Sequence, residues 1–171
     1  MVGKIVAGKD TVNLIGKSKR SDQTELEHIV IEMQSYVESS VMITEENNQV
    51  NTIFFQDSSM HLLFEEYPKI LFCDATYKTN ENRMALMVFM IVDGNGESGL
   101  VGLCFIKSES EKCTLSALES LKKCCPSHEK TRVIMADKDM ANRSAFKKVR
   151  LNSFIFNPNS LLFSRLFHQL R

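Results

Sequence analysis

From Ser21 the chain reads "SDQTELEHIVIEMQSYVESS", with Leu26, Ile29, Val30, Met33, Tyr36 and Val37 falling on one helical stripe. That spacing predicts an amphipathic helix, with Ser21 or Asp22 as its cap. "VMI", a polar "TEENNQ" and "VNTIFF" predict a β-hairpin, and "DSSMHLLFEEYP" a short helix that closes near Pro68. From residue 69 the pattern changes. "KILFCDATY", "MALMVFMIVD" and "SGLVGLCFIKS" are strand-like runs, and "GNGE" (94–97) turns the chain between the second and third. Between Ser110 and Cys125, Leu115, Leu118 and Leu121 recur at helical spacing, with Lys122 and Lys123 near the end where cations suit the helix dipole. "TRVIMAD" predicts a fourth strand, Asp139 a cap for the helix "MANRSAFKKV", and "SFIF" a fifth strand.

The predicted order from residue 69 is β–β–β–α–β–α–β. A meander followed by alternating helices and strands predicts an α/β fold, a mixed sheet with helices packed on it. If the first and fourth of these strands are neighbours, Asp74 and Asp137 meet at one edge. Asp is disfavoured in strands and seldom buried without a partner. Two such acids repel unless a cation sits between them, and Mg²⁺ or Mn²⁺ prefers their oxygen ligands. Paired metals of this kind clamp the attacking and leaving oxygens of a phosphodiester. In the plainer alternative, Asp74 ends its strand at the surface and pairs with Lys78 or Arg83.

Composition narrows the class. At 171 residues, with 43% hydrophobic and 25% charged positions, the chain reads as one soluble domain with appendages. No apolar run reaches the ~18 residues of a membrane span. "MVGKIVAGKD" lacks the pattern of a secretory signal, so a nuclear or cytoplasmic, non-membrane protein is expected. Net charge is zero but unevenly spread: residues 1–20 carry five cations and one acid, residues 140–171 six cations and no acid, and residues 21–139 ten cations and twenty acids. Basic ends suit contact with DNA phosphates, or serve as solvated tails. Cys73, Cys104, Cys113, Cys124 and Cys125 show no C-x-x-C pair and no zinc spacing, so structural thiols and no zinc site are expected. "DGNGES" is a hairpin turn rather than a calcium loop, because Ser98 replaces the required Gly.

"FFQDSSMHLLFEEYPKILFCDATYKTN", "MALMVFMIVDGNGESGLVG" and "KTRVIMADKDM" together carry a family likeness. They resemble the RNase H-like domain of metazoan SWIM-type zinc-finger proteins, itself similar to the Mutator-like (MULE) transposases. The likeness spans about residues 51–150, with its motifs in order. It implies an RNase H-like mixed sheet flanked by helices, with a basic segment, the amphipathic helix and the start of the hairpin in 1–50, the transposase-derived domain in 51–156 and a basic tail in 157–171. It also implies a first acidic ligand at Asp74 and a second at Asp137, with Asp139 as a cap and Mg²⁺ or Mn²⁺ as the cofactor of an active site.

The departures are specific. No Asp or Glu follows Asp139, where active relatives place a third carboxylate on a late helix. Ala136 stands where Thr or Ser is usual, and Arg165 where a Cys would pair with His168. No SWIM zinc finger is seen, so the copy looks C-terminally truncated or domesticated. Glu109 is the candidate substitute third ligand, with Glu111 beside it and His168 a weaker one. These features imply a non-catalytic module that binds DNA or nuclear proteins, with a metal-dependent phosphodiester-cleaving or strand-transfer enzyme as the alternative.

Overall fold

The computed structural model describes residues 4–5, 23–47, 49–76, 84–136, 143–149 and 154–156. The strands are β1 (Lys4–Ile5), β2 (Ser40–Glu46), β3 (Gln49–Gln56), β4 (Ile70–Thr76), β5 (Ala85–Val92), β6 (Ser98–Ile106), β7 (Val133–Ala136) and β8 (Phe154–Phe156). The helices are α1 (Gln23–Ser35), α2 (Ser58–Glu66), α3 (Glu111–Cys124) and α4 (Arg143–Lys148), with a 3-10 turn over Pro126–Lys130. All eight strands join one sheet in the order β1-β2-β3-β6-β5-β4-β7-β8. From β6 to β8 this is the predicted arrangement. The meander β4–β5–β6 is antiparallel, and β7 and then β8 add parallel strands beside β4. Such parallel steps need a crossover, which α3 and α4 supply.

Burial explains why β5 reads as a continuous apolar run instead of an alternating one. Its odd positions, Met87, Phe89 and Ile91, face a core with Leu71, Cys73 and Ile134, roofed by Phe64 of α2, Ala117, Leu118 and Leu121 of α3, and Ala145 and Phe146 of α4. Its even positions, Val88 and Met90, cluster with Phe72 on the opposite face. At the β2–β3 end that opposite face is covered by Leu26, Val30 and Met33 of α1, packed on Val41, Ile43, Ile53 and Phe55. A strand covered on both sides has no polar face to show.

The hairpin that straddles the expected boundary at residue 50 belongs to the same sheet, because β3 pairs with β6 from Thr52↔Ile106 to Phe55↔Leu103. Beyond that register β6 bulges between the partners of Phe89 and Met90. The buried Gln56 side chain answers the irregularity: Nε2 donates to the Val101 carbonyl (2.9 Å) and Oε1 accepts from the Cys125 thiol (2.9 Å). Replacing it with Leu strands a buried carbonyl, so Gln56→Leu is expected to cost about 1–3 kcal/mol. Urea unfolding should show a lower midpoint with an unchanged slope.

Two local expectations shift. The predicted apolar stripe ran to Val37, but α1 stops at Ser35, leaving Tyr36 and Val37 exposed. Glu38 adopts a left-handed φ of 51° and Ser39 N–H returns to the Tyr36 carbonyl, which ends the helix. Tyr36 still serves packing, its ring meeting Phe55 edge-on at 5.6 Å. The polar turn is also tighter than "TEENNQ": β2 continues through Glu46, and Asn47 takes the left-handed φ of 52° that Asn tolerates.

Candidate functional site

Asp74 sits within β4, opposite Val88 of β5. Strand alternation places Leu71 and Cys73 on the helix-covered face, so Asp74 shares the other face with Phe72. There it is half-buried, and its Oδ1 accepts the Ala75 N–H at 2.9 Å. Its negative charge adds to burial in pushing the neighbouring Cys73 thiol upward, burial being the larger cause. This is an acid held at the margin of an apolar patch.

The predicted neighbour relation is present in the backbone. β4 and β7 run parallel in a register that ends at Cys73↔Ala136. Asp74 follows Cys73 in sequence and Asp137 follows Ala136, so the described register ends one residue short of both acids. Asp137 itself lies outside the described residues, as do Asp139, Tyr77, Lys78, Arg83 and His168. The proposed surface pairing of Asp74 with Lys78 or Arg83 is therefore outside them too.

The acids near α3 sit elsewhere. Glu109 lies in the link after β6, and β5 separates β6 from β4, a lateral offset of about 10 Å. Glu111 pairs with Lys148 at 2.6 Å, which ties the start of α3 to α4. Hydrogen bonds from Lys148, and then Ser144, hold its carboxyl below the ordinary range. Among the described residues no group of three or more His, Cys, Asp or Glu side chains is placed to hold a metal. Carboxylate oxygens suit Mg²⁺ or Mn²⁺, but one carboxylate is a poor cage, so the fit of a metal depends on Asp137 joining Asp74.

The sheet order, with an antiparallel meander flanked on its first strand by parallel additions, and the placement of Asp74–Thr76 and Val133–Ala136 on adjacent strands, match the likeness seen in the sequence. A family model, zinc finger SWIM domain-containing protein 1/3, RNaseH-like domain, matches residues 30–152. The chain belongs to this family. No curated protein and no solved structure matches it. The matched region of the RNaseH-like domain begins within α1 and includes the β2–β3 hairpin as well as positions 74 and 137 of the sequence. No SWIM zinc finger is matched in the chain. No helix among the described residues is long and apolar enough to cross a membrane.

The structure also shows a feature that sequence reasoning missed. At the opposite ends of β4 and β7 from Asp74, Lys69, Lys130 and Arg132 line a groove with Pro68, Glu129 and Thr131. Lys130 and Arg132 flank Thr131, whereas Lys69 lies some 60 residues before them in the chain, and no local motif connects it to them. Only the β4–β7 pairing does.

Proposed function

We propose that this RNaseH-like domain is transposase-derived and acts as a non-catalytic interaction module that binds DNA or protein, in the nucleus or cytoplasm. The supporting observation is that, among the described residues, no group of three or more His, Cys, Asp or Glu side chains is placed to hold a metal, and Glu111 is engaged by Lys148. The basic segments at 1–20 and 140–171 add the charge that phosphate contact needs. A filter-binding assay with duplex DNA is expected to show retention at low salt that weakens steeply as salt rises. No retention at low salt would remove DNA as the partner and leave protein.

One observation favours a second reading, metal-dependent phosphodiester cleavage or strand transfer. The described β4–β7 register ends at Cys73↔Ala136, one residue before each acid, and carboxylates of Asp74 and Asp137 brought together beyond it would hold Mg²⁺ or Mn²⁺. Such a metal supplies charge neutralisation at the scissile phosphate and a more acidic bound water. Asp74, fixed on β4 with Oδ1 on the Ala75 N–H, would orient from one strand while Asp137 approached from the next. A calorimetric Mn²⁺ titration separates the readings. The interaction-module reading expects no saturable binding; saturable binding lost in both Asp74→Asn and Asp137→Asn would replace it with the second.

A further inference from the structure

The groove at the far end of the sheet combines three features. It has a volume of about 380 Å³ and is lined by Pro68, Lys69, Glu129, Lys130, Thr131 and Arg132. Lys69, Lys130 and Arg132 are all exposed, and among the described residues none has a carboxylate within ion-pair distance. Three of the ten cations in the acidic stretch 21–139 thus converge on one depression, against a single lining acid, Glu129. Like charges gathered without counter-ions repel one another, and an anion relieves that repulsion.

The backbone fixes this convergence. The Lys69 carbonyl accepts two N–H groups, from Arg132 at 2.9 Å and Val133 at 3.1 Å, locking the entry of β4 to the entry of β7. The 3-10 turn before Arg132 is pinned from below, His128 N–H and Nδ1 both meeting the Cys125 carbonyl (3.1 and 2.6 Å). Thr131, between the two cations, is only 1% exposed, and its Oγ1 is buried without a hydrogen-bond partner. A buried hydroxyl left unsatisfied is costly, and a native example calls for a specific cause. An oxyanion in the groove would accept from it.

We infer that the Lys69–Lys130–Thr131–Arg132 groove is a phosphate-binding site that engages the backbone of a nucleic acid. Lys and Arg provide the charge, Arg132 a planar fork suited to two phosphate oxygens, and Thr131 a neutral donor. No base-reading element lines the groove, so binding there is independent of sequence. The site lies at the end of the sheet away from Asp74, so it holds the strand without presenting it to the acidic edge. The choice of nucleic acid as the source of the phosphate rests on the DNA-binding reading above, whereas the site's preference for phosphate does not.

Two measurements on the full chain test this. In the first, fluorescence anisotropy follows a short random-sequence DNA across a salt series. The variant Lys69→Ala/Arg132→Ala is expected to bind about tenfold more weakly at low salt and to lower the salt slope by about two. Lys107→Ala, whose ammonium meets Gln49 at the other end of the sheet, should stay close to wild type. In the second, inorganic pyrophosphate is titrated while the backbone amide resonances of Thr131 and Arg132 are followed by NMR. Saturable shifts are expected in the wild type, and Thr131→Val, which keeps charge and shape, should weaken them several-fold. DNA binding that the double variant leaves intact would overturn the groove's role while sparing the DNA-binding reading. Pyrophosphate shifts without any DNA binding would keep the phosphate site and discard nucleic acid as its ligand. Absence of pyrophosphate shifts in the wild type would overturn the site altogether.

Discussion

Phe89→Ala is expected to lower the unfolding free energy by about 3–5 kcal/mol, a large share of a typical domain's margin. Phe89 is fully buried at the middle of β5, and its ring lies 6.1 Å from that of the equally buried Phe54 at an interplanar angle of 58°. The two rings belong to the core roofed by α2, α3 and α4, so truncation opens a cavity where β3, β5 and β6 come together. Gly102 shows how closely that space is filled. A Cβ there would meet Phe54 at 3.2 and 3.3 Å and Phe89 at 3.4 Å. Gly102→Ala alone should therefore destabilise by overpacking, by about 1–3 kcal/mol. In the Phe89→Ala background part of that crowding is gone, so the double variant should lose less than the two single losses added together. Chemical denaturation of the four proteins closes this cycle. Strict additivity would mean that Gly102 and Phe89 do not compete for the same space.

Much of this fold was legible from residue types alone. The periods of "KILFCDATY" and "MALMVFMIVD" are strand-like, and the turn at 94–97 forms as read. Asp93 there takes the N–H groups of Asn95 and Glu97 at 2.8 Å each, and Gly96 has a φ of 86°. The caps that form, Asp57 accepting from Met60 N–H and Ser110 from Cys113 N–H, were not among those read from the sequence, and the ones that were, Ser21 or Asp22 and Asp139, lie outside the described residues. The strand periods and the turn are local, and local chemistry is written in neighbouring residues. What the pattern did not contain was the pairing of β3 with β6, because a hairpin with an apolar edge can join any open sheet edge. The bulge in β6 and its repair by Gln56 depend on that pairing, so they were equally hidden.

The same division runs through the candidate site. Asp74 stood out because an acid inside an apolar strand violates a local preference. The adjacency of its strand to β7 was one of the few choices that the β–β–β–α–β order left open. The groove at the other end gave no such signal. Lys130 and Arg132 beside one another are unremarkable, and only the Lys69 carbonyl's two hydrogen bonds bring a third cation to them. Glu109 drew attention by its type and its place before a helix, and the strand it follows, β6, lies two positions from β4 in the sheet.

Alkylation of the native protein should be slow at every described thiol that burial protects, and alkaline pH should destabilise the fold. Burial pushes the Cys124 thiol from its ordinary value of 9.0 up to about 11, and Cys125 to about 12. Cys73 and Cys104 are pushed up further, again chiefly by burial. Reaction requires the thiolate, so a two-unit rise leaves Cys124 roughly a hundredfold less reactive than a free thiol near neutral pH. Cys73 and Cys104, both fully buried, should react only through opening of the fold. The pH dependence has a fixed sign. These thiols hold their protons to higher pH when folded than when unfolded, so their contribution to stability is complete below about pH 9 and is lost as pH rises through the folded values. The melting temperature should therefore fall from about pH 9 upward, with protons released on unfolding. Mass spectrometry after timed iodoacetamide exposure would rank the sites, with Cys124, only partly buried, reacting first. Rapid native labelling of Cys73 or Cys104 would contradict the packing of β4 and β6 against α3, on which the placement of Asp74 depends.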